Sequence, residues 1–209
     1  MSARSCSCVI VYAAVCVCLL LAPLCAAAER WNYQASRTDA RDFVAGGTVH
    51  VHLNVGDLHI RRGHASKIRL HYIVKSLYER NVKESRVDFN VYGNDADLEF
   101  HAEGTNTQID VELEVPANTN LDVHEKVGDL FVEEVEGDKD LELGVGDIRV
   151  SAGESRYRFV RASTGVGDVN SSSYGEPSGW LGKSLRYDGE GKYELRAHVG
   201  VGDVTLEGK

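Results

Sequence analysis

Cysteine is confined to the first 25 residues of this 209-residue chain, at Cys6, Cys8, Cys16, Cys18 and Cys25. The remainder can form no disulfide, no thiolate metal site and no cysteine nucleophile. Basic charge is also scarce: 23 Lys and Arg stand against 32 Asp and Glu, a formal net charge of −9. A nucleic-acid binder needs a basic stripe to displace counterions, so no nucleic-acid partner is expected, and simple adsorption to anionic lipid is disfavoured. Acidity here reads as solubility. Beyond the N-terminal region, helical periodicity is missing from every window of about ten residues. Missing too are a Gly-x-Ser-x-Gly elbow, a His-Glu-x-x-His pair and a phosphate-cradling Gly-rich loop with Lys.

What the N-terminal region does contain is a targeting pattern. Arg4 precedes an almost wholly apolar run from Val9 to Leu24, and Ala26-Ala27-Ala28 offers a small-residue cleavage site before Glu29. Residues 1–28 are therefore expected to be a signal peptide, with an uncleaved anchor as the alternative. Lipid attachment at Cys25 is discounted, because Leu24 is too large for the residue such a site wants. Removing the segment takes away Arg4 alone among charged residues and moves the formal charge to −10. The remaining 181 residues are enough to bury a core unaided.

One phrase recurs through that remainder. Val55-Gly56-Asp57, Val127-Gly128-Asp129, Val145-Gly146-Asp147, Val166-Gly167-Asp168 and Val201-Gly202-Asp203 each end one alternating run and open another. Glycine accepts positive φ, and aspartate can hydrogen-bond the backbone two residues on, so the triplet reads as a sharp bend. A spacing near 20 residues is the mark of stacked repeats that bury their apolar faces against neighbours. The flanking aliphatics are expected to share one face, with the Asp side chains forming a ladder along one edge. A calcium reading of that ladder is weaker than turn chemistry, since the nonapeptide of calcium β-rolls is not present.

The alternating runs read as strands. Thr48 to Val55 has aliphatics at every odd position, and further strands are read at Ile68 to Val74, Val87 to Val91, Leu98 to Phe100 and Ile109 to Val115. Pro116 closes the last of these. Residues 29–42 look like a polar lead-in to a single β-repeat domain over 43–209, and Lys75 to Arg86 fits a strand extension, an exposed loop or a short helix. Ser171 to Gly191 breaks the rhythm as an extended loop between the last two repeats; Tyr174, Trp180 and Tyr187 there form a possible binding loop or a cap on the stack. Val204 to Leu206 then finishes the chain on a repeat, which suggests a complete domain without a C-terminal anchor. The expected fold is all-β, a β-solenoid-like stack of short strands with Gly-Asp turns. The alternative is a β-sandwich-like N-terminal half over 43–115 followed by a short solenoid.

Two constellations invite chemistry. His50 and His52 share the polar side of one strand, and His59 or His71 could add a third zinc ligand; the simpler reading is polar strand faces occupied by His, with no metal and no cofactor. Glu112 with Glu114, or Glu133 with Glu134, could be drawn into a polysaccharide-cleaving pair on a β-helix scaffold. Charge is expected on such solvent faces anyway, so no catalytic residue is assigned.

The order of these parts resembles the bacterial DUF4097 family of putative-adhesin domains, related to GIN head domains. The residues that carry the likeness are the strand ending in Gly56-Asp57-Leu58, the run Asp110 to Pro116, the tandem Gly-Asp bends, and the closing Gly191-Lys192-Tyr193-Glu194-Leu195 with Val201-Gly202-Asp203-Val204. The resemblance implies an exported, non-catalytic bacterial envelope protein: periplasmic, cell-surface or secreted. Its expected partner is an unknown envelope protein or glycan, with a homodimer possible and no stable membrane insertion after signal cleavage.

Overall fold

The computed structural model describes residues 31–151 and 156–208. The signal-peptide and cysteine expectations lie outside them. The described part is all-β apart from one short helix. In chain order the elements are β1 (Tyr33–Asp42), β2 (Thr48–Val55), β3 (Leu58–Arg62), β4 (Lys67–Ser76), α1 (Glu79–Glu84), β5 (Arg86–Tyr92), β6 (Asp95–His101), β7 (Thr107–Val115) and β8 (Asn120–Val127). There follow β9 (Leu130–Glu133), β10 (Lys139–Val145), β11 (Ile148–Ser151), β12 (Tyr157–Val166), β13 (Val169–Ser171), β14 (Ser184–Asp188), β15 (Tyr193–Val201) and β16 (Val204–Glu207).

These strands form two eight-stranded sheets of mixed direction. The first runs β1-β4-β7-β3-β9-β11-β16-β13 and the second β14-β12-β15-β10-β8-β2-β6-β5. Neither closes into a barrel, and the two-sheet arrangement is of the sandwich-like kind named as the alternative. Each Val-Gly-Asp bend carries the chain from the second sheet to the first: β2 to β3, β8 to β9, β10 to β11, β12 to β13 and β15 to β16. The inner strands of both sheets run parallel, with antiparallel β1 and β4 ending one sheet and β5 and β14 flanking the other.

Alternation dictates the core. In β2, Val49, Val51 and Leu53 point inward and are almost fully buried, while His50 and His52 face out. Inward aliphatics of both sheets meet in one cluster that includes Leu58, Ile60, Leu98, Ile109, Leu130 and Leu141. Each such side chain contributes about 1.5–3 kcal/mol by leaving water.

Three expectations need correction, and one that stood open between readings is decided. Residues 33–42, read as a polar lead-in, are a full strand: β1 pairs residue by residue with β4 at the sheet edge, where neither face demands aliphatics. The charged segment after β4 takes the short-helix reading of its three: a six-residue helix, held by the i,i+4 pairs Lys83–Glu79 at 2.7 Å and Arg80–Glu84 at 2.9 Å and anchored by buried Val82. The final repeats do not stack in chain order: β15 lies between β10 and β12, in register with both. The segment between the last two bends therefore contains an edge strand, β14, antiparallel to β12, that lets the chain return and insert. Finally, the aliphatics around each bend do not share a face. The residues after Asp, such as Leu58, Leu130 and Ile148, are buried. The valines before Gly are 40–50% exposed and form a stripe, Val55, Val127, Val145, Val201 and Val166, paired with one another at the ends of their strands.

Candidate functional site

The Gly-Asp bends form a hydrogen-bonded ladder. The backbone N–H of Asp129 donates to Asp57 Oδ1 (3.3 Å), that of Asp147 to Asp129 (3.0 Å), that of Asp203 to Asp147 (2.9 Å) and that of Asp168 to Asp203 (2.7 Å). Each carboxylate thus serves the next repeat and not its own turn, a role that local turn chemistry does not reveal. Glycine is required for the same reason. Gly146 has φ +134°, and a Cβ there would overlap the carbonyl oxygen of Gly128. Gly128 is likewise pressed against the Gly56 carbonyl, and Gly167 and Gly202 repeat the pattern. A second, shorter ladder runs at the other end of the strands, where Asp138 N–H donates to Asn120 Oδ1 (2.9 Å) and Glu194 N–H to Asp138 Oδ1 (2.8 Å).

Stacking the bends aligns everything at fixed offsets from them. The residue four before each bend glycine lies on the outer face of the second sheet: His52, His124, Glu142, His198 and Ser163 stand side by side on β2, β8, β10, β15 and β12. His52 stacks on His124 with ring centres 5.2 Å apart and planes 4° from parallel. His124 contacts Glu142 (3.1 Å) and Asp122 (3.2 Å), and His198 Nδ1 contacts Ser163 Oγ (3.0 Å). The row continues to Glu99 on β6, opposite His52, and from Glu99 to His198 it lines an open cavity of about 540 Å³.

The zinc set built on the early histidines does not assemble. His50 and His52 face out from the second sheet, while His59 and His71 belong to strands of the first. Instead, His50 contacts Asp122 at 2.9 Å, His59 stacks on Phe131 at 4.3 Å and His71 contacts Thr38 Oγ1 at 3.0 Å. The carboxylate pairs are equally dispersed. Glu114 is gripped by Arg61 (2.8 Å) and Arg69 (3.2 Å), and Glu112 lies opposite His59 and His71. Glu133 ends β9, while Glu134 is in the bend that follows, with φ +56°.

The aromatics of 171–191 divide. Tyr174 is buried and makes edge contacts with Tyr157 (6.3 Å) and Tyr187 (5.2 Å). Trp180 is 95% exposed and Leu181 67% exposed. Their tip is pinned at its base by Ser178 and Ser184, which exchange both backbone hydrogen bonds at 2.8 Å, and by Thr164 N–H donating to the Lys183 carbonyl at 2.9 Å. An apolar pair is thus presented to solvent on a short, tied loop.

Two ionisable side chains lie inside the sheets at positions where the strand alternation calls for aliphatics, Glu125 and Lys139. Glu125 occupies an inward slot of β8 between Leu53 and Leu143, and among the described residues neither carboxyl oxygen has a hydrogen-bond partner. Burial, then the nearby Asp57 and Asp129 carboxylates, push its pKa up to about 8. Lys139 occupies an inward slot of β10, where its Nζ meets Tyr157 Oη (2.7 Å) and the Gly137 carbonyl (3.1 Å). Burial pulls its pKa down to about 7, against the attraction of Asp138 and Glu136. Burial also raises the Tyr157 phenol above its usual range.

No family model matches the chain, and no curated protein does. Among solved structures it is similar to a "putative cell adhesion protein" from Clostridium sporogenes, at 18% identity and a TM-score of 0.54, over 84% of this chain and 100% of that one. A "putative adhesin" from Bacteroides fragilis aligns at 13% identity over 82% and 97% of the two chains, with a TM-score of 0.28. Another from Parabacteroides merdae aligns at 9% identity over 84% and 81%, with a TM-score of 0.31. These two superpose too loosely to bear on the fold, whereas the Clostridium sporogenes protein shares it.

Proposed function

We propose that this chain is an exported, non-catalytic adhesin-like module that binds an envelope protein or glycan. The observation that carries the reading is the tip at Trp180 and Leu181, the most exposed large apolar pair on the described residues, held on a tied loop against a rigid sheet edge. Burying a Trp and a Leu on contact supplies affinity, and Trp offers a flat face to a sugar ring or a peptide. The stacked bends support a solenoid-like reading of the parallel region, whose long polar flanks suit a broad contact. The adhesion name of the Clostridium sporogenes protein fits this role. So does the grip of Arg61 and Arg69 on Glu114, which leaves that carboxylate poorly placed to shuttle a proton. Export rests on the signal-like pattern of residues 1–28, and among the described residues no helix is long and apolar enough to cross a membrane.

The test is capture. Purified protein and its Trp180→Ala variant are immobilised and exposed to a bacterial envelope fraction and its exopolysaccharides. A protein or glycan retained by the wild type and lost by the variant supports the reading. Equal retention by both, retention of nothing, or shortening of soluble oligosaccharides overturns it.

A further inference from the structure

We propose that Asp88, Glu99 and His101 form a zinc-class divalent metal site on the β5–β6 hairpin. The idea does not depend on what Trp180 touches. Asp88 and Glu99 lie directly opposite each other across the hairpin, and His101 follows two residues after Glu99, so all three side chains leave the same face. Their ligand atoms lie within 4.8 Å of one another. His101 Nε2 is 3.0 Å from Asp88 Oδ2 and 3.8 Å from Glu99 Oε2. A tetrahedral zinc ion with ligands at 2.0–2.2 Å spaces its donors about 3.3–3.6 Å apart, and the two observed separations bracket that edge. One imidazole and two carboxylates are zinc donors, and the solvent side is left for water or a fourth group.

The hairpin also concentrates negative charge, which the hydrogen bond between His101 Nε2 and Asp88 engages on one carboxylate alone. Two like charges directly opposite on an antiparallel ladder destabilise it unless something neutralises them. The nearest guanidinium, Arg86 opposite His101, reaches Asp88 only at 3.9 Å. A bound metal would satisfy both carboxylates at once and engage the imidazole, which a single arginine at that distance does not. All three side chains are partly exposed, His101 at 28%, so an ion can enter without any opening of the fold.

The experiment is calorimetric titration of the purified protein with zinc chloride, alongside His101→Ala, Asp88→Asn and, as a control on the other sheet, His59→Ala. One zinc per chain is expected, weakened at least about tenfold by either hairpin variant and unchanged by His59→Ala. Cobalt(II) in place of zinc should give the intense visible absorption of a tetrahedral centre, lost in His101→Ala. Thermal melts in metal-free buffer establish that each variant is folded, and if His101→Ala is not, Asp88→Asn carries the test. No saturable binding, binding untouched by the hairpin variants, or equal weakening by His59→Ala overturns the site.

Discussion

Replacing Glu125 should stabilise this protein, and by an amount set by pH. Its carboxyl lies on the inward side of β8 with 4% of the residue exposed, flanked in register by Leu53 and Leu143. Burial pushes its pKa up to about 8, so the folded state keeps the proton well above the ordinary value of 4.5 for a glutamate in water. The folded state therefore binds a proton more tightly than the unfolded chain, so stability declines as pH rises through the window between those two values and levels off above it. At pH 7 the unfolded carboxyl has passed its own pKa by about 2.5 units, which at 1.36 kcal/mol per unit is about 3 kcal/mol lost to proton uptake. Glu125→Leu removes that loss and places an aliphatic group where the neighbouring rows already have one. Relative to wild type, the variant should gain about 3 kcal/mol more at pH 7 than at pH 4.5, and its melting temperature at pH 7 should rise by about 6–12 °C. Urea unfolding at pH 4.5, 7 and 8.5 measures the difference directly. A gain that is equal at all three values would refute the argument, since it would show that the carboxyl does not hold its proton in the folded state.

Lys139 carries the opposite sign. Its folded pKa is pulled down to about 7, so the folded state prefers the neutral amine and stability rises as pH climbs from there towards the ordinary lysine value of 10.5. Lys139→Met should therefore stabilise more at pH 6 than at pH 10 in urea melts, and a constant difference would contradict the burial argument. Gly146→Ala forces a Cβ into the Gly128 carbonyl at a positive φ, and should cost about 2–4 kcal/mol in the same assay. A cost under about 0.5 kcal/mol would mean that the bends are not stacked as described.

Much of this fold can be read by counting in twos. The strands from Thr48 to Val55 and from Ile109 to Val115 lie where aliphatics alternate, because one face of each is buried and the other wet. The bends stand at the repeated Gly-Asp. The row of Asp side chains along one edge follows from that spacing, but its bonding does not: a turn aspartate ordinarily satisfies its own backbone, whereas here it accepts from the neighbouring repeat. The order of the last two repeats was illegible for a related reason. Val166 and Val201 close strands of equivalent register, both able to pair with the same neighbours, and long-range contacts choose between them. The outer His and Glu row could have been found by aligning residues on the bend glycines, since His52, His124, Glu142 and His198 share one offset. Counting onward from Leu121 and Val123 would also have placed Glu125 inside. The pairing of Asp88 with Glu99 needed the hairpin register, which the run from Val87 to Phe100 does not specify.

The insertion of β15 between β10 and β12 has a consequence for how the chain comes together in time. β15 follows every other strand of the second sheet in the chain yet sits in its middle, so β10 and β12 have no neighbour on that side until it has emerged. Until then two parallel edges face each other across a gap one strand wide, open to any extended segment that passes. Such late, long-range closure makes folding slow and leaves unpaired strand edges exposed while it is pending.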